Sequence, residues 1–195
     1  MLDKRTLKYV HSLELRKFRS EYRTFLAEGS KLVGDIIGVF SCRYLFATSD
    51  WLAEHAEIHA ERIMEVSKEE LRRLSLLKTP KDVVAVFYLP DYAITEIDAA
   101  AQLVLAVDGI QDPGNLGAMV RLADWFGIEH LVCSLDTVDI FNPKAVQATM
   151  GALARVQVHY ASLPDWLSQL PPTPVFGTFL NGENIYQSSL SSFGV

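Results

Sequence analysis

Residues 103–127, LVLAVDGIQDPGNLGAMVRLADWFG, constrain the fold more than any other stretch of the chain. An apolar run from Leu103 to Val107 is followed by a turn-rich loop, Asp108 to Gly114, and then by an apolar pattern of helical period. That order is expected of a buried parallel strand that feeds a helix through a ligand-binding loop. Asn115 is read as the helix N-cap, because its side-chain oxygen can accept from the first-turn amides, and Gly127 as the left-handed residue that ends the helix. Apolar residues cover well over half of the helical wheel, so a mostly buried helix is expected. Gly117, Arg121 and Asp124 share the remaining arc, and Arg121 is the one Lys or Arg between Lys81 and Lys144. A surface ion pair with Asp124, three residues on, would account for Arg121 as well as a functional role would.

The string DGIQDPGNLGAMVRLADWFG resembles the first signature motif of the SpoU/TrmH family of RNA ribose 2'-O-methyltransferases, members of the SPOUT superfamily of knotted enzymes. It carries the family's Asp, Ile-Gln-Asp-Pro, Asn, Gly, Arg, Ala and closing Gly without a gap. The resemblance implies S-adenosylmethionine-dependent methyl transfer to a ribose 2'-hydroxyl of structured RNA, ribosomal or transfer, by a homodimer. It assigns to Arg121 the activation of the hydroxyl or the anchoring of a neighbouring phosphate, with Asn115 shaping the site.

A length of 195 residues suits one large or two small domains, and 49% hydrophobic with 22% charged residues is ordinary for a folded protein. No apolar run reaches the roughly 18–20 residues of a membrane span, and residues 1–22 hold no signal-peptide core, so a cytoplasmic protein is expected. Cys42 and Cys133 each lie in an apolar context and are read as buried thiols, with neither disulfide nor metal site. His55 and His59 stand four apart without a third ligand nearby and are read as a solvated helix face.

The net charge of -6 conceals a division: residues 1–81 carry 15 Lys or Arg against 12 Asp or Glu, whereas residues 82–195 carry 3 against 12. A positive front on an acidic chain is compatible with a polyanion-binding face. Residues 6–38 read as one or two helices in which Arg16, Lys17, Arg19 and Arg23 alternate with Phe18, Tyr22 and Phe25. Such cations and aromatics suit phosphates and unpaired bases, but a core of aromatics under a solvated basic face has the same pattern. The stretch Arg16-Lys17-Phe18-Arg19, followed by Phe25-Leu26-Ala27-Glu28-Gly29, is similar to the start of many SpoU/TrmH proteins. In them it opens a small, ribosomal-protein-like α/β domain that presents RNA. The RNA-binding set implied is Arg16, Lys17, Arg19, Arg23, Lys31 and, from the later Phe141-Asn142-Pro143-Lys144 segment, Lys144. Gln147 and Thr149 stand where the family usually has Arg and Ser.

The rest of the front half reads as short strands at Ile36–Phe40, Tyr44–Ala47 and Val83–Tyr88, with helices at Asp50–Ala60 and Lys68–Ser75. Residues 1–92 are expected to form the RNA substrate-binding domain, 93–101 a linker, and 102–195 an incomplete methyltransferase domain. In the last of these, strands His130–Ser134, Val156–Tyr160 and Val175–Leu180 alternate with helices at 143–153 and 164–170. Asn142 is the expected cap of the first of these helices and Pro143 its first residue. Alternation of this kind implies a Rossmann-like parallel sheet with ligands beyond its carboxyl edge. Gly114-Asn115-Leu116-Gly117 is not a dinucleotide fingerprint, which counts against a nicotinamide enzyme.

Gly177 to Gly182 resembles the family loop that lies against S-adenosylmethionine, which implies cofactor contacts at Thr178, Leu180, Asn181 and Gly182. An Asn-Gly turn alone would read the same way. The family's later Gly-Asn-Glu-Gly and Ser-Leu-Asn motifs, which complete the trefoil knot, do not occur before Val195, so the knotted segment is expected to be missing from this chain. A non-catalytic RNA-binding relative and an unrelated nucleotide-binding α/β enzyme remain as other readings.

Overall fold

The computed structural model describes residues 2–195. The chain opens with α1 (Lys4–Ser12), whose first turn is capped by the Asp3 carboxylate accepting from the Thr6 amide at 2.7 Å, and α2 (Arg16–Tyr22). Arg23 then takes a left-handed φ of 52° and turns the chain into β1 (Thr24–Glu28). Next come α3 (Ser30–Ile36), β2 (Cys42–Ala47), α4 (Ser49–Glu54), β3 (Arg62–Glu65), α5 (Lys68–Leu74) and β4 (Val83–Tyr88).

These four strands form one sheet in the order β1-β4-β2-β3, antiparallel except for the parallel β2–β3 pair. Strand alternation divides the sheet's side chains between two cores. Leu26, Phe46, Val84 and Val86 face α1 and α5, while Phe25, Ala27, Leu45, Ala47, Val83, Ala85 and Phe87 face the other way. The expectation of helix through residues 6–38 is therefore wrong at β1: its five residues are buried on both faces, and a short run of that kind has no amphipathic period to betray a strand. Likewise Ile36–Phe40 is the end of α3 and a turn, β3 lies where no strand is expected, and the helix expected at Asp50–Ala60 stops at Glu54.

The second sheet is parallel, in the order β5-β6-β7: β5 (Leu105–Val107), then α6 (Pro113–Trp125), β6 (His130–Ser134), α7 (Pro143–Thr149), β7 (Gln157–Ala161) and α8 (Leu163–Gln169). Leu131 and Cys133 of β6 face α6 and α7, and Val132 packs with Trp166 of α8. Between the two sheets lies one continuous apolar layer, in which Leu116, Val120 and Val146 join Phe25 and Val83. The Phe25 and Phe141 rings sit 4.8 Å apart across it. Burial pushes the Cys42 and Cys133 thiols up to about 12, so both stay protonated in the core.

No strand forms at Val175–Leu180. Pro171, Pro172 and Pro174 remove donors from the segment that leads into this run, and only its start is paired: the Phe176 amide donates to the Val195 carbonyl at 2.8 Å and the Val195 amide to the Pro174 carbonyl at 3.0 Å. Gly194 in turn bridges in parallel to Leu103, beside β5. Among the described residues no helix is long and apolar enough to cross a membrane.

Candidate functional site

Two neighbouring loops build the carboxyl edge of the parallel sheet, and they are stitched to one another. After β5, Gly109 (φ 64°) donates its amide to Ser134 Oγ at 2.8 Å, the Ile110 amide reaches Thr137 Oγ1 at 3.3 Å, and Gln111 Nε2 donates to the Asp136 carbonyl at 2.8 Å. Ser134 Oγ donates to Asp136 at 2.6 Å, completing the lock. Ser134, Asp136 and Thr137 thus hold the Asp-Gly-Ile-Gln segment from a different loop. Only their position after a strand hinted at this in the sequence.

The cap of α6 is Asp112, which accepts from the Asn115 amide at 2.8 Å, and Pro113 occupies the first turn. Asn115 is therefore not the cap, and its side chain is free on the exposed first turn. The Asp-Pro pair is itself a cap signal, since a proline at the first helical position gives up a donor that has no helical acceptor. Leu116, Gly117, Val120 and Ala123 form the buried face of the helix. A Cβ on Gly117 would lie 2.4 Å from the Ala148 Cβ, so glycine is required for α6 and α7 to approach this closely.

The opposite face is open, contrary to the expected burial: Leu122, Trp125 and Phe126 are 47%, 84% and 68% exposed. Arg121 shares this side. The ion pair with Asp124 does not form, because Arg155 from the turn before β7 binds both Asp124 oxygens at 2.7 Å and holds that carboxyl below its usual range. Arg121 is left with no ion-pair partner among the described residues. It lines a cleft of about 490 Å³ with Lys31, Trp125, Thr149 and Met150. Met150 is one of two non-glycine residues with positive φ among the described residues, at 51°, and its amide donates to the Gln147 carbonyl at 3.2 Å.

The other sequence-derived site residues are dispersed. Lys31 joins the Arg121 cleft from the first half, whereas Asn115, six residues or about 9 Å of helix axis before Arg121, is not among its lining residues. Arg16, Lys17, Arg23 and Lys144 are exposed, Arg23 lying 3.8 Å from the fully exposed Asp91.

Arg19 is not available to a ligand. It is 2% exposed, donates to Asp139 at 2.6 and 3.0 Å and to the Leu13 and Glu14 carbonyls at 2.8 Å, and so ties α2 to the β6–α7 loop. Of the aromatics interleaved with these cations, Phe25 is core, while Phe18 and Tyr22 are half-buried and stack at 5.9 Å. Thr178, Leu180, Asn181 and Gly182 are all exposed, in a loop closed by the Gly182 amide on the Phe179 carbonyl at 3.2 Å. Among the described residues, no group of three or more His, Cys, Asp or Glu is arranged to hold a metal.

A parallel α/β domain with a mixed four-stranded sheet packed against it is a fold shared with solved RNA methyltransferases of the SpoU/TrmH type. A TrmH-family protein from Porphyromonas gingivalis superposes with a TM-score of 0.90 at 37% identity, covering 100% of this chain and 78% of that one. An S-adenosylmethionine-bound rRNA methyltransferase from Sinorhizobium meliloti gives 0.75 at 27% identity, covering 87% and 67%. The SpoU rRNA methylase profile matches residues 102–193, and that of the MRM3-like substrate-binding domain matches residues 4–85. The 23S rRNA (guanosine(2553)-2'-O)-methyltransferase of Bacillus subtilis is 30% identical over 180 residues, which are 90% of this chain and 70% of that protein. Human mitochondrial rRNA methyltransferase 3 is 27% identical over 187 residues, 89% of this chain and 44% of that protein. The chain belongs to the SpoU rRNA methylase family.

Proposed function

We propose that this chain catalyses, or supplies the catalytic core for, S-adenosylmethionine-dependent methylation of a ribose 2'-hydroxyl in ribosomal RNA. The observation that carries the reading is the Arg121 guanidinium, left free in the cleft because Arg155 has taken Asp124. S-adenosylmethionine, when bound, supplies an electrophilic sulfonium methyl. A ribose hydroxyl is a weak nucleophile, and a guanidinium beside it can orient it, hold the adjacent phosphate through two parallel hydrogen bonds, and stabilise negative charge as the proton leaves.

The loop at Thr178–Gly182 fits one wall of a cofactor site. Leu180 offers apolar surface for an adenine ring, and Thr178, Leu180 and Asn181 make no hydrogen bond to a described residue, which leaves their polar groups for a ligand. Arg16, Lys17, Arg23, Lys31 and Lys144 are the proposed RNA contacts. A non-catalytic RNA-binding relative is the second reading, favoured by the openness of that same loop. The two readings separate on transfer of labelled methyl from S-adenosylmethionine to ribosomal RNA. Methyl transfer that disappears in Arg121→Ala supports catalysis, and RNA binding with no transfer by the unaltered chain supports the second reading.

We infer further that Leu122, Trp125 and Phe126 pack against a second copy of the chain, since an apolar patch on one helix face is costly to leave in water. Trp125→Glu then sediments as a monomer at concentrations where the unaltered protein is a dimer. The reduced, buried thiols of Cys42 and Cys133 suit the cytoplasm.

A further inference from the structure

The Arg121 cleft does not end at Met150. It shares Lys31 and Met150 with a second cleft of about 380 Å³ between α3 and α7. That cleft shares Glu28 and Gln147 with a third, of about 530 Å³, which reaches Leu15 and Lys144. Shared lining residues set the three in a row, as a segmented groove along the seam between the two halves of the molecule with the Gln147–Glu28 bond bridging the second and third, and each section is of a size that takes a nucleotide-sized ligand.

The groove's charge is opposite to that of the chain. Four cations line it, Arg121, Lys31, Lys81 and Lys144, and none forms an ion pair among the described residues. Of the carboxylates on its walls, Asp124 is taken by Arg155. Glu28 is 3% exposed and accepts from Ser75 Oγ and from the Leu76 amide at 2.9 Å, and burial raises its pKa, so its charge is turned inward and disfavoured. Glu14, at the Lys144 end, is the one carboxylate left exposed on the lining.

Lys81 packs its stem against the turn from β1 into α3. Gly29 turns the chain from β1 into α3 at a φ of 98°, and a Cβ there would touch the Lys81 stem at 3.4 Å. The lysine stem thus lies across the bare glycine backbone, while Glu28, one residue earlier, pins the Ser75–Leu76 segment that leads towards it. Gln147 holds the opposite wall by donating to the Glu28 carbonyl at 2.8 Å.

Building on the RNA reading above, we propose that the groove is the track of an unpaired RNA segment, running from the reacting ribose at Arg121 to Lys144, and that Lys81 holds a backbone phosphate midway. A walled groove that places cations along its length and an apolar Met150 between them suits a single strand, whose phosphates and bases can be engaged separately.

The test measures binding of a fluorescein-labelled unpaired 12-nucleotide oligouridylate, and of a 12-base-pair RNA duplex, by the unaltered chain, Lys81→Glu, and Lys68→Glu on the exposed outer face of α5. Lys81→Glu is expected to weaken binding of the unpaired probe at least about tenfold at low salt and to lower the slope of log affinity against log salt by about 0.7. Lys68→Glu should stay within about twofold, and the duplex should bind more weakly than the single strand. Equal losses in the two variants, or preference for the duplex, would overturn the track while leaving the RNA reading in place. If the unaltered chain binds neither probe yet binds S-adenosylmethionine, the RNA reading fails and the track with it.

Discussion

The two halves of this molecule use positive charge differently. The first 81 residues hold 15 of the 18 Lys and Arg, most of them exposed, with Arg43 half-buried among tyrosines on β2 and Arg19 withdrawn into the interior. The remaining 114 hold three, and each has a distinct situation: Arg155 neutralises Asp124, Arg121 is thereby released into the cleft, and Lys144 stands at the far end of the groove. Where cations are many, losing an exposed member outside the groove, such as Arg16, costs little, and Lys31 and Lys81, which line it, are the exceptions. Where they are few, each is placed by the packing around it, and substitution exposes its role.

The sharpest form of that contrast is kinetic. Arg121→Ala should lower methyl transfer to ribosomal RNA by at least about a hundredfold, equivalent to roughly 2.7 kcal/mol of barrier, with the thermal midpoint unchanged because the residue is exposed. Arg16→Ala should lower it only a few-fold. Survival of activity within about tenfold in Arg121→Ala would remove the catalytic assignment.

Next in size is the tie between the halves. Asp139→Ala leaves the Arg19 charge buried without its carboxylate and should cost about 3 kcal/mol in denaturant unfolding. Arg19→Met, which removes the buried charge itself, should cost clearly less, because Asp139 is partly exposed and can be hydrated. Equal costs would mean that the pair contributes through packing alone.

Gly117→Val tests the close approach of α6 to α7. Its added carbons meet Ala148 well inside contact distance, and a loss of about 2 kcal/mol is expected by thermal unfolding.

The pH-dependent effect lies at the β6–β7 pair of histidines, where His130 Nδ1 and His159 Nε2 are 3.2 Å apart and Tyr92 packs 6.0 Å from the His159 ring. Desolvation, together with the neighbouring His130, pushes His159 down to about 4. The unfolded chain therefore takes up this proton first as the pH falls. The stability from the neutral ring is complete above about 6.5 and is lost progressively towards 4. His159→Phe should flatten the pH dependence of unfolding across that interval.

Much of this architecture can be read from local pattern. Val83–Tyr88 and His130–Ser134 are apolar runs bounded by turns, and both are strands with those limits. Lys68 follows a Ser67 whose reciprocal bonds with Glu70 make a capping box, and Asn142-Pro143 starts α7 as the cap rules require. Where the pattern failed, its signal was ambiguous or overridden. Thr24–Glu28 has no period because both faces are buried, and the proline-rich run after Leu170 finds pairing only at residues 174–176, whatever its apolar content.

What the sequence by itself determined is therefore the local grammar: the strand-loop-helix unit around Asp108–Gly127, the alternation of elements, the basic front, and the motif that singles out Arg121. Only the tertiary structure decided which charges are free. Arg19 and Arg121 sit in equally plausible motifs, yet one is bound by an aspartate 120 residues away and the other is released by an arginine 34 residues on. Neither partner lies on the same element as the residue it governs. The availability of a charge depends on what packing brings within hydrogen-bond distance, and helix periodicity reports only neighbours three and four residues apart.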